Sequence, residues 1–509
     1  MTLARSRTHS AAPKVTKGPD SVPLPAGPER ARLLDPRAPY LAPTIALLIA
    51  RIAGWIMIPF ASEDAYITFR YARNLAAGNG LVYNPDERVF GFSSPLWAVW
   101  SALAFPLIHN PVVWAKLSCI LADLVTLLVL TRLLERHASR AAAWTFACFF
   151  AVWPYFSAVA ASGMEMNLML MLVALSAALA ERGSRATGVV LGLLALVRPE
   201  GLAAAAVLAL GARWRDRAVA AAIALAGIGA LWAYFGTPIP QSLIAKAGIY
   251  GIDGPWKGRH WWDWLSPVIA GTRSPVSDAA PLTGFRVVML PAAVLGFATL
   301  WRQRASGLAL ATFSLLFVWL GYLLLGVAYF WWYLLAPLAG IALAASVGLA
   351  RVVRGPWIPV ASLLFAVSLW TVMESLYRGR AIAEYGTFGE VADFLTPRCR
   401  PGEKILLEPI GIIGYQTPLR VIDEVGLVTP RVAARRRAGD GWYTDIVAAE
   451  RPDWLVIRQG VLRTGQAFAG HGLPFRDKVE RDTLVARYEQ QFAANPDGGD
   501  NALLVLHRR

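Results

Sequence analysis

Between Tyr40 and Trp370 the chain alternates apolar runs with short clusters of arginine, and this alternation constrains its fold more than any other feature. A helix needs about 20 apolar residues to cross the hydrocarbon core of a bilayer, because each residue advances it by about 1.5 Å. Runs of that order lie at 40–60, 112–134, 141–160, 164–180, 218–235, 286–301, 307–327, 332–350 and 357–374. With 56% of its 509 residues hydrophobic and 20 of them tryptophan, the chain reads as an α-helical polytopic membrane protein.

The net charge of +15 at pH 7 would also suit a nucleic-acid binder. The arginines, however, gather at Arg132/Arg136/Arg140, Arg182/Arg185, Arg213/Arg215/Arg217, Arg302/Arg304 and Arg351/Arg354. Short basic clusters between apolar runs are how cytoplasmic loops look. The expected partner is therefore the lipid bilayer, and no nucleic acid. Residues 1–39 are rich in Arg, Pro and Ser without periodicity, and lack the compact apolar core and small-residue cleavage site of a signal peptide. They are expected to form a disordered basic tail in the cytoplasm. Three cysteines at unrelated positions imply neither a disulfide framework nor a metal site.

The arginine clusters also set parity. The first run enters from the basic tail, so Glu63 and Asp64 emerge on the far side of the plasma membrane. An odd number of crossings must separate them from Arg136, which makes Pro95–Ile108, carrying Pro106, a re-entrant or interfacial piece. The segment 187–212 has arginines at both ends and is expected to be two half-length pieces meeting at Arg198-Pro199-Glu200-Gly201. About eleven crossings result, leaving residues 378–509 outside. That stretch is charged, with strand-like runs at Lys404–Leu407, Trp454–Ile457 and Leu503–Leu506. The expected organisation is a tail (1–39), a transmembrane module (40–377) and an extracytoplasmic α/β domain (378–509).

Chemistry is expected on the outer side, around Ser62–Arg73. A helix should begin there, capped by Ser62 or Asp64, and end at Gly78 and Gly80. Glu63, Asp64, Arg70, Arg73 and Arg88 belong to this loop; Glu165 lies at one hairpin tip, Arg198 and Glu200 at another, Lys246 in the next long loop and Tyr333 before a late run. Carboxylates supply a general base or ligands for a divalent cation, and arginine or lysine neutralises a phosphate. The bland alternative is a capped interfacial helix with snorkelling arginines, and a paired polar turn at Arg198/Glu200; local features leave both open. Lys116 and Asp123, seven residues apart on one helix face, are read as braces between spans. The aromatics Tyr329–Tyr333 suit an interfacial belt, while Trp261, Trp262 and Trp264 could dip into the interface or stack on a sugar. No P-loop, G-x-G-x-x-G or G-x-S-x-G is present, so ATP-driven and serine-hydrolase mechanisms lack support.

The stretch Glu63-Asp64-Ala65-Tyr66-Ile67 with Phe69-Arg70-Tyr71-Ala72, then Gly80-Leu81-Val82-Tyr83-Asn84-Pro85 and Glu87-Arg88-Val89, resembles the first outer loop of GT-C membrane glycosyltransferases. The likeness is to the group containing the mycobacterial terminal arabinofuranosyltransferase and, more distantly, to protein mannosyltransferases. Ser162-Gly163-Met164-Glu165, Arg198-Pro199-Glu200-Gly201, Tyr234–Pro240 with Ala245-Lys246, and Ile412-Ile413-Gly414-Tyr415 with Val421-Ile422-Asp423 continue it in order. The resemblance implies transfer of a sugar from a polyprenyl-phosphate donor to an extracytoplasmic glycan or glycoconjugate. Asp64 would be the general base, with Glu63 as its partner or as a cation ligand. Arg70, Tyr71, Arg73, Arg88, Glu165, Arg198, Glu200, Lys246 and Tyr333 would bind donor or acceptor. Relatives often carry Arg-Tyr before the late span, where this chain has Trp332-Tyr333. The competing reading from another class is a transporter or flippase of lipid-linked saccharide, and a third is a scaffold of envelope assembly that has lost its chemistry.

Overall fold

The computed structural model describes residues 40–249, 281–325, 330–353, 357–368, 370, 377–467 and 472–509. The expected tail at 1–39, Trp261, Trp262, Trp264 and Tyr329 lie outside the described residues.

The first apolar run forms helix α1 (Leu41–Met57), and the acid pair opens α2 (Glu63–Ala76). Neither Ser62 nor Asp64 caps α2 through its side chain, contrary to expectation. Two carboxylates stand in its first turn, where the helix dipole favours negative charge. The helix stops as expected, with Gly78 at φ +80° and Gly80 at φ +86° just beyond it, values that cost glycine little. The piece carrying Pro106 is two short helices, α3 (Pro95–Ala102) and α4 (Ala104–Leu107). The long α5 (Pro111–His137) follows, capped by Asn110 accepting from the Val112 and Val113 N–H groups at 3.1 Å.

The run at 141–160 is not one straight helix: α6 (Arg140–Val152) and α7 (Pro154–Ala161) meet at a 51° bend. Pro154 lacks an N–H and forces Trp153 into extended backbone. Next come α8 (Met166–Glu181), α9 (Thr187–Val197) and α10 (Pro199–Leu208). Arg198 between the last two is extended, and a Cβ on Gly201 would clash with the Leu194 carbonyl. The two half-helices therefore double back on each other at the anticipated turn. Then follow α11 (Trp214–Phe235), α12 (Gln241–Ile249), α13 (Pro281–Arg302), α14 (Gly307–Leu325), α15 (Leu335–Val352) and α16 (Trp357–Ser368). Helices α13 and α15 approach backbone to backbone, because a Cβ on Gly296 or Gly348 would strike a carbonyl of the other helix.

Among the described residues, α5, α11, α14 and the stretch Trp331–Val352 have the length and composition to cross a membrane, and α6 with α7 makes a fifth if it is one bent span. Six further apolar helices are shorter; the eleven expected crossings would need five of them (α1, α8, α9, α10 and the Met289–Arg302 part of α13) and α16 to cross as well, with α3 and α4 left as the re-entrant or interfacial piece. Polar braces tie the first span to the others. Arg51 of α1 is 1% exposed and donates to Asp123 of α5 at 2.6 Å, to Ser157 at 2.9 Å and to the Phe150 and Ala151 carbonyls. Asn167 of α8 donates to the other Asp123 oxygen at 2.7 Å. Lys116 donates to the Ile58 carbonyl. Both charges anticipated on α5 thus brace α1.

The C-terminal stretch contains strands β1 (Lys404–Leu407), β2 (Arg420–Asp423), β3 (Trp454–Arg458), β4 (Tyr488–Ala494) and β5 (Leu503–Arg508) in the order β2-β1-β3-β5-β4. The pairs β1–β2 and β1–β3 are parallel, while β5 runs antiparallel to β3 and β4. Its core is Leu406, Ile422, Leu455, Ile457 and Leu506 under Trp442, Tyr443 and Phe475. Sequence patterning found β1, β3 and β5. It missed β2 (Arg420–Asp423) and β4, whose Glu489, Gln490 and Gln491 face solvent. The sheet and the helices from residue 42 onward share one compact unit.

Candidate active site

Helix α2 and the segment 410–421 are joined along their length. Arg70, 4% exposed, donates to the Gly414 carbonyl, the Leu419 carbonyl at 2.7 Å and the Tyr83 carbonyl at 2.9 Å. Arg73 donates to the Tyr415 carbonyl at 2.7 Å, Tyr83 to that of Ile410, and Asn84 exchanges bonds with both backbone groups of Val421 at 2.9 and 3.0 Å. Tyr71 is spent on the Val89 carbonyl at 2.8 Å. Carbonyl oxygens left open at loop and helix ends demand donors, and buried arginine supplies several at once. Arg70, Tyr71 and Arg73, expected to hold donor or acceptor, are thus placed in the seam, outside the lining of the large cavity described below. Arg88 stacks on the Tyr234 ring at 4.8 Å and is also outside it.

The two acids of α2 part company. Glu63 accepts the backbone N–H of Gly411 and, at 2.8 Å, that of Ile412. A Cβ on Gly411 would collide with the Glu63 backbone, so glycine is what permits this approach. Burial lifts the Glu63 carboxyl well above its ordinary range against those two N–H bonds, and the nearby Glu384 and Asp64 carboxylates add to the lift. Asp64 instead faces Lys246 of α12, Oδ2 to Nζ 3.5 Å, with both side chains partly open to solvent. The Lys246 ammonium lies 4.4 Å from the centre of the Phe330 ring. Burial opposes its charge, but Tyr333 and Asp64 outweigh burial and hold it above its ordinary value.

Both acids and Lys246 line a cavity of about 670 Å³. Ile58, Phe60 and Ala61 from the end of α1, and Phe330, Trp331 and Trp332 before α15, give it an apolar, aromatic side. Glu384, Tyr385, Glu408, Arg458 and Asn501 give it a polar side from the C-terminal stretch, and sequence reasoning missed all five. They sit among dozens of other charged and polar residues, and only the tertiary fold brings them here, two from the helix Gly379–Leu395 and three from the sheet and its connections.

Arg198, Glu165 and Glu200, expected at a cavity, form a cluster outside its lining, Arg198 and Glu165 buried and Glu200 part-buried. Arg198 pairs with Glu165 and, at 2.9 and 3.0 Å, with both oxygens of Glu200, which also accepts from Tyr322 at 3.0 Å. Its guanidinium lies 4.8 Å from the centre of the Tyr333 ring, and Tyr333 stacks on Tyr322 with centroids 5.4 Å apart. Beside Tyr333 in the Trp332-Tyr333 pair there is thus an arginine, Arg198 from the turn between α9 and α10, engaged with two carboxylates. A divalent cation does not fit the acid pair: Glu63 faces two N–H donors, Asp64 faces an ammonium, and among the described residues no group of three His, Cys, Asp or Glu converges.

Behind the polar side, burial pushes the Glu424 carboxyl from 4.5 up to about 8, helped by Glu408 and opposed by Arg436 and Arg458. Burial takes Asp423 to about 6. Raised acids bind more protons folded than unfolded, so the stability they confer is full below about pH 4.5 and declines as pH rises to about 8. Thermal unfolding across that range is expected to show the decline, and Glu424→Gln to flatten it; equal slopes for both proteins would contradict this.

A bundle of apolar helices, with its cavity beside the helix that follows the first span and a mixed sheet contributing wall, has the GT-C fold of membrane glycosyltransferases. Among solved structures it is similar to ArnT from Cupriavidus metallidurans, both in the apo state (TM-score 0.58, 12% identity) and bound to undecaprenyl phosphate (TM-score 0.55, 13% identity). Each comparison covers 91% of this chain and 97% of ArnT. The chain is also 45% identical over 58 residues to the terminal β-(1→2)-arabinofuranosyltransferase of Corynebacterium glutamicum, a match spanning 11% of this chain and 8% of that protein. Residues 375–502 match a domain of unknown function, DUF8728.

Proposed function

We propose that this chain is a membrane glycosyltransferase that moves a sugar from a polyprenyl-phosphate donor to an extracytoplasmic glycan or glycoconjugate. The observation that carries the proposal is the Asp64–Lys246 pair, 3.5 Å apart in a cavity with an aromatic side. In the resting protein Lys246 neutralises Asp64. A donor phosphate draws the ammonium to itself, which stabilises the charge that develops as the bond from the sugar's anomeric carbon to the phosphate oxygen breaks. Asp64, released, accepts the proton of the incoming acceptor hydroxyl, whose oxygen bonds to the anomeric carbon. Polyprenyl phosphate leaves. Glu63, held by two amides, fixes the first turn of α2 and so aims Asp64; it is a positioning residue. The structure of ArnT bound to undecaprenyl phosphate supports a lipid-phosphate occupant by likeness of fold.

The test supplies the protein in nanodiscs with polyprenyl-phosphate sugars and a glycan acceptor, the product being read by mass spectrometry. Lys246→Gln is expected to raise the donor KM and lower kcat, together a loss in kcat/KM on the order of 10²-fold, as for removal of one charge-stabilising group. Lys246→Arg should recover part of it, because the charge returns in another shape. Lipid-linked sugar crossing sealed vesicles with no glycosidic bond made would replace this reading by the flippase one.

A further inference from the structure

Two of the basic clusters meet where α5, α8 and α13 finish and α14 begins. Arg302 ends α13, and a tight connection through Gln303 and Arg304 leads to α14. Backbone bonds hold it, from the Gln303 N–H to the Leu300 carbonyl at 2.9 Å and from the Ser306 N–H to that of Gln303 at 2.8 Å. Together with Arg136 and His137 at the end of α5, these residues line an open recess of about 530 Å³. Glu181, which ends α8, lies outside that lining and is already engaged. One oxygen accepts from Arg136 at 2.8 Å; the other stands 2.8 Å from His137 Nε2 and accepts the Gly307 N–H at 3.3 Å. A Cβ on Gly307 would press on that oxygen, so glycine lets the helix ends close around it. Among the described residues no carboxylate lines the recess, and neither Arg302 nor Arg304 has an acidic partner.

Three guanidinium groups around a hollow attract a phosphate and can hold it by paired N–H bonds. The adjoining surface says which phosphate. Val294, Phe297 and Trp301, spaced by three and four residues, share one face of α13, and all three are exposed. Trp301 directly precedes Arg302, and its ring lies 6.0 Å from that of Phe297. Tryptophan settles at the level of lipid head groups, with apolar side chains deeper in the hydrocarbon. Acyl chains lying along this face bring a lipid's phosphate to Arg302. A zwitterionic head group carries an ammonium for which the lining offers no carboxylate, whereas a net negative one leaves no charge unanswered. We infer that the recess binds the phosphate of an anionic phospholipid. It shares no residue with the cavity of Asp64 and Lys246, and the inference does not depend on the glycosyltransferase reading.

Phosphatidylglycerol with a photoreactive head group, a minor component of phosphatidylcholine nanodiscs holding the full chain, tests it. Crosslinks mapped by peptide mass spectrometry are expected at 302–306 and 136–137. Unlabelled phosphatidylglycerol should compete at least about tenfold better than phosphatidylcholine, and less so at high salt. Arg302→Gln/Arg304→Gln should cut this crosslinking on the order of tenfold. Both side chains are exposed, so the variant should unfold at the wild-type temperature. Arg215→Gln/Arg351→Gln removes the same charge from exposed positions on other helices and should leave the crosslinks unchanged. Equal competition by the two lipids, labelling spread evenly over every basic loop, or equal loss in the two double variants would each overturn the assignment. Inorganic phosphate that abolishes the crosslinks, and stabilises the protein in phosphatidylcholine alone, would make this a site for free phosphate and overturn the lipid. Should the first variant fail to fold, the wild-type competition and crosslink map still decide.

Discussion

Asp64→Asn is expected to lower transfer by about 10²- to 10⁴-fold, the usual contribution of a positioned general base, while leaving the protein folded. The amide is the same size as the carboxylate and its oxygen can still face Lys246, so packing around the first turn of α2 is preserved. What is lost is the basicity that takes up the acceptor's proton. Loss should therefore fall on kcat, with the donor KM little changed, since the proposed mechanism assigns the phosphate to Lys246. Glu63→Gln should behave differently. Its single carbonyl oxygen can satisfy only one of the Gly411 and Ile412 amides, so the expected result is a lower melting temperature and a smaller fall in kcat. Transfer at wild-type rate in Asp64→Asn would remove Asp64 from the mechanism, and a larger loss in Glu63→Gln would exchange the two roles.

The second large effect is on stability. Arg51→Met is expected to cost about 3–5 kcal/mol, as breaking a buried ion pair does when one charge is left behind. Asp123 would remain between α1, α5 and α8 with only Asn167 to answer it. The double variant Arg51→Met/Asp123→Leu should recover most of that loss, because removing both charges also removes the cost of keeping them from solvent. Thermal unfolding of the detergent-solubilised protein measures both. A double variant as unstable as the single would mean that packing around Arg51, rather than its charge, is what α1 needs.

Much of the frame was legible before any coordinates. The apolar runs between arginine clusters placed the helices, and even the doubling back at Arg198-Pro199-Glu200-Gly201 followed from having basic residues at both ends of a segment too short for two full spans. The beginning of α2 was readable because acids after an apolar run and glycines beyond it mark the two ends of a helix. The roles of individual cations were not readable. Arg70, Arg73 and Lys246 are equally basic in a sequence, yet the first two cap carbonyls of the segment 410–421 and only Lys246 lies in the cavity with Asp64. An arginine that satisfies backbone carbonyls and a lysine that faces a carboxylate in a cavity differ in their surroundings, not in their charge. Arg51 was overlooked because one charge inside an apolar run scarcely lowers its hydropathy.

By itself the sequence determined the helical class, the segments able to enter a bilayer, the start of α2 and three of the five strands. These depend on local periodicity, on backbone amides needing partners within their own helix in lipid, and on the charge of neighbouring loops. Tertiary structure alone decided that Glu63 is an anchor, that Asp64 stands against Lys246, and that side chains from the C-terminal sheet complete the cavity. Each of those depends on distance between residues far apart in the chain, and no local pattern encodes such a distance.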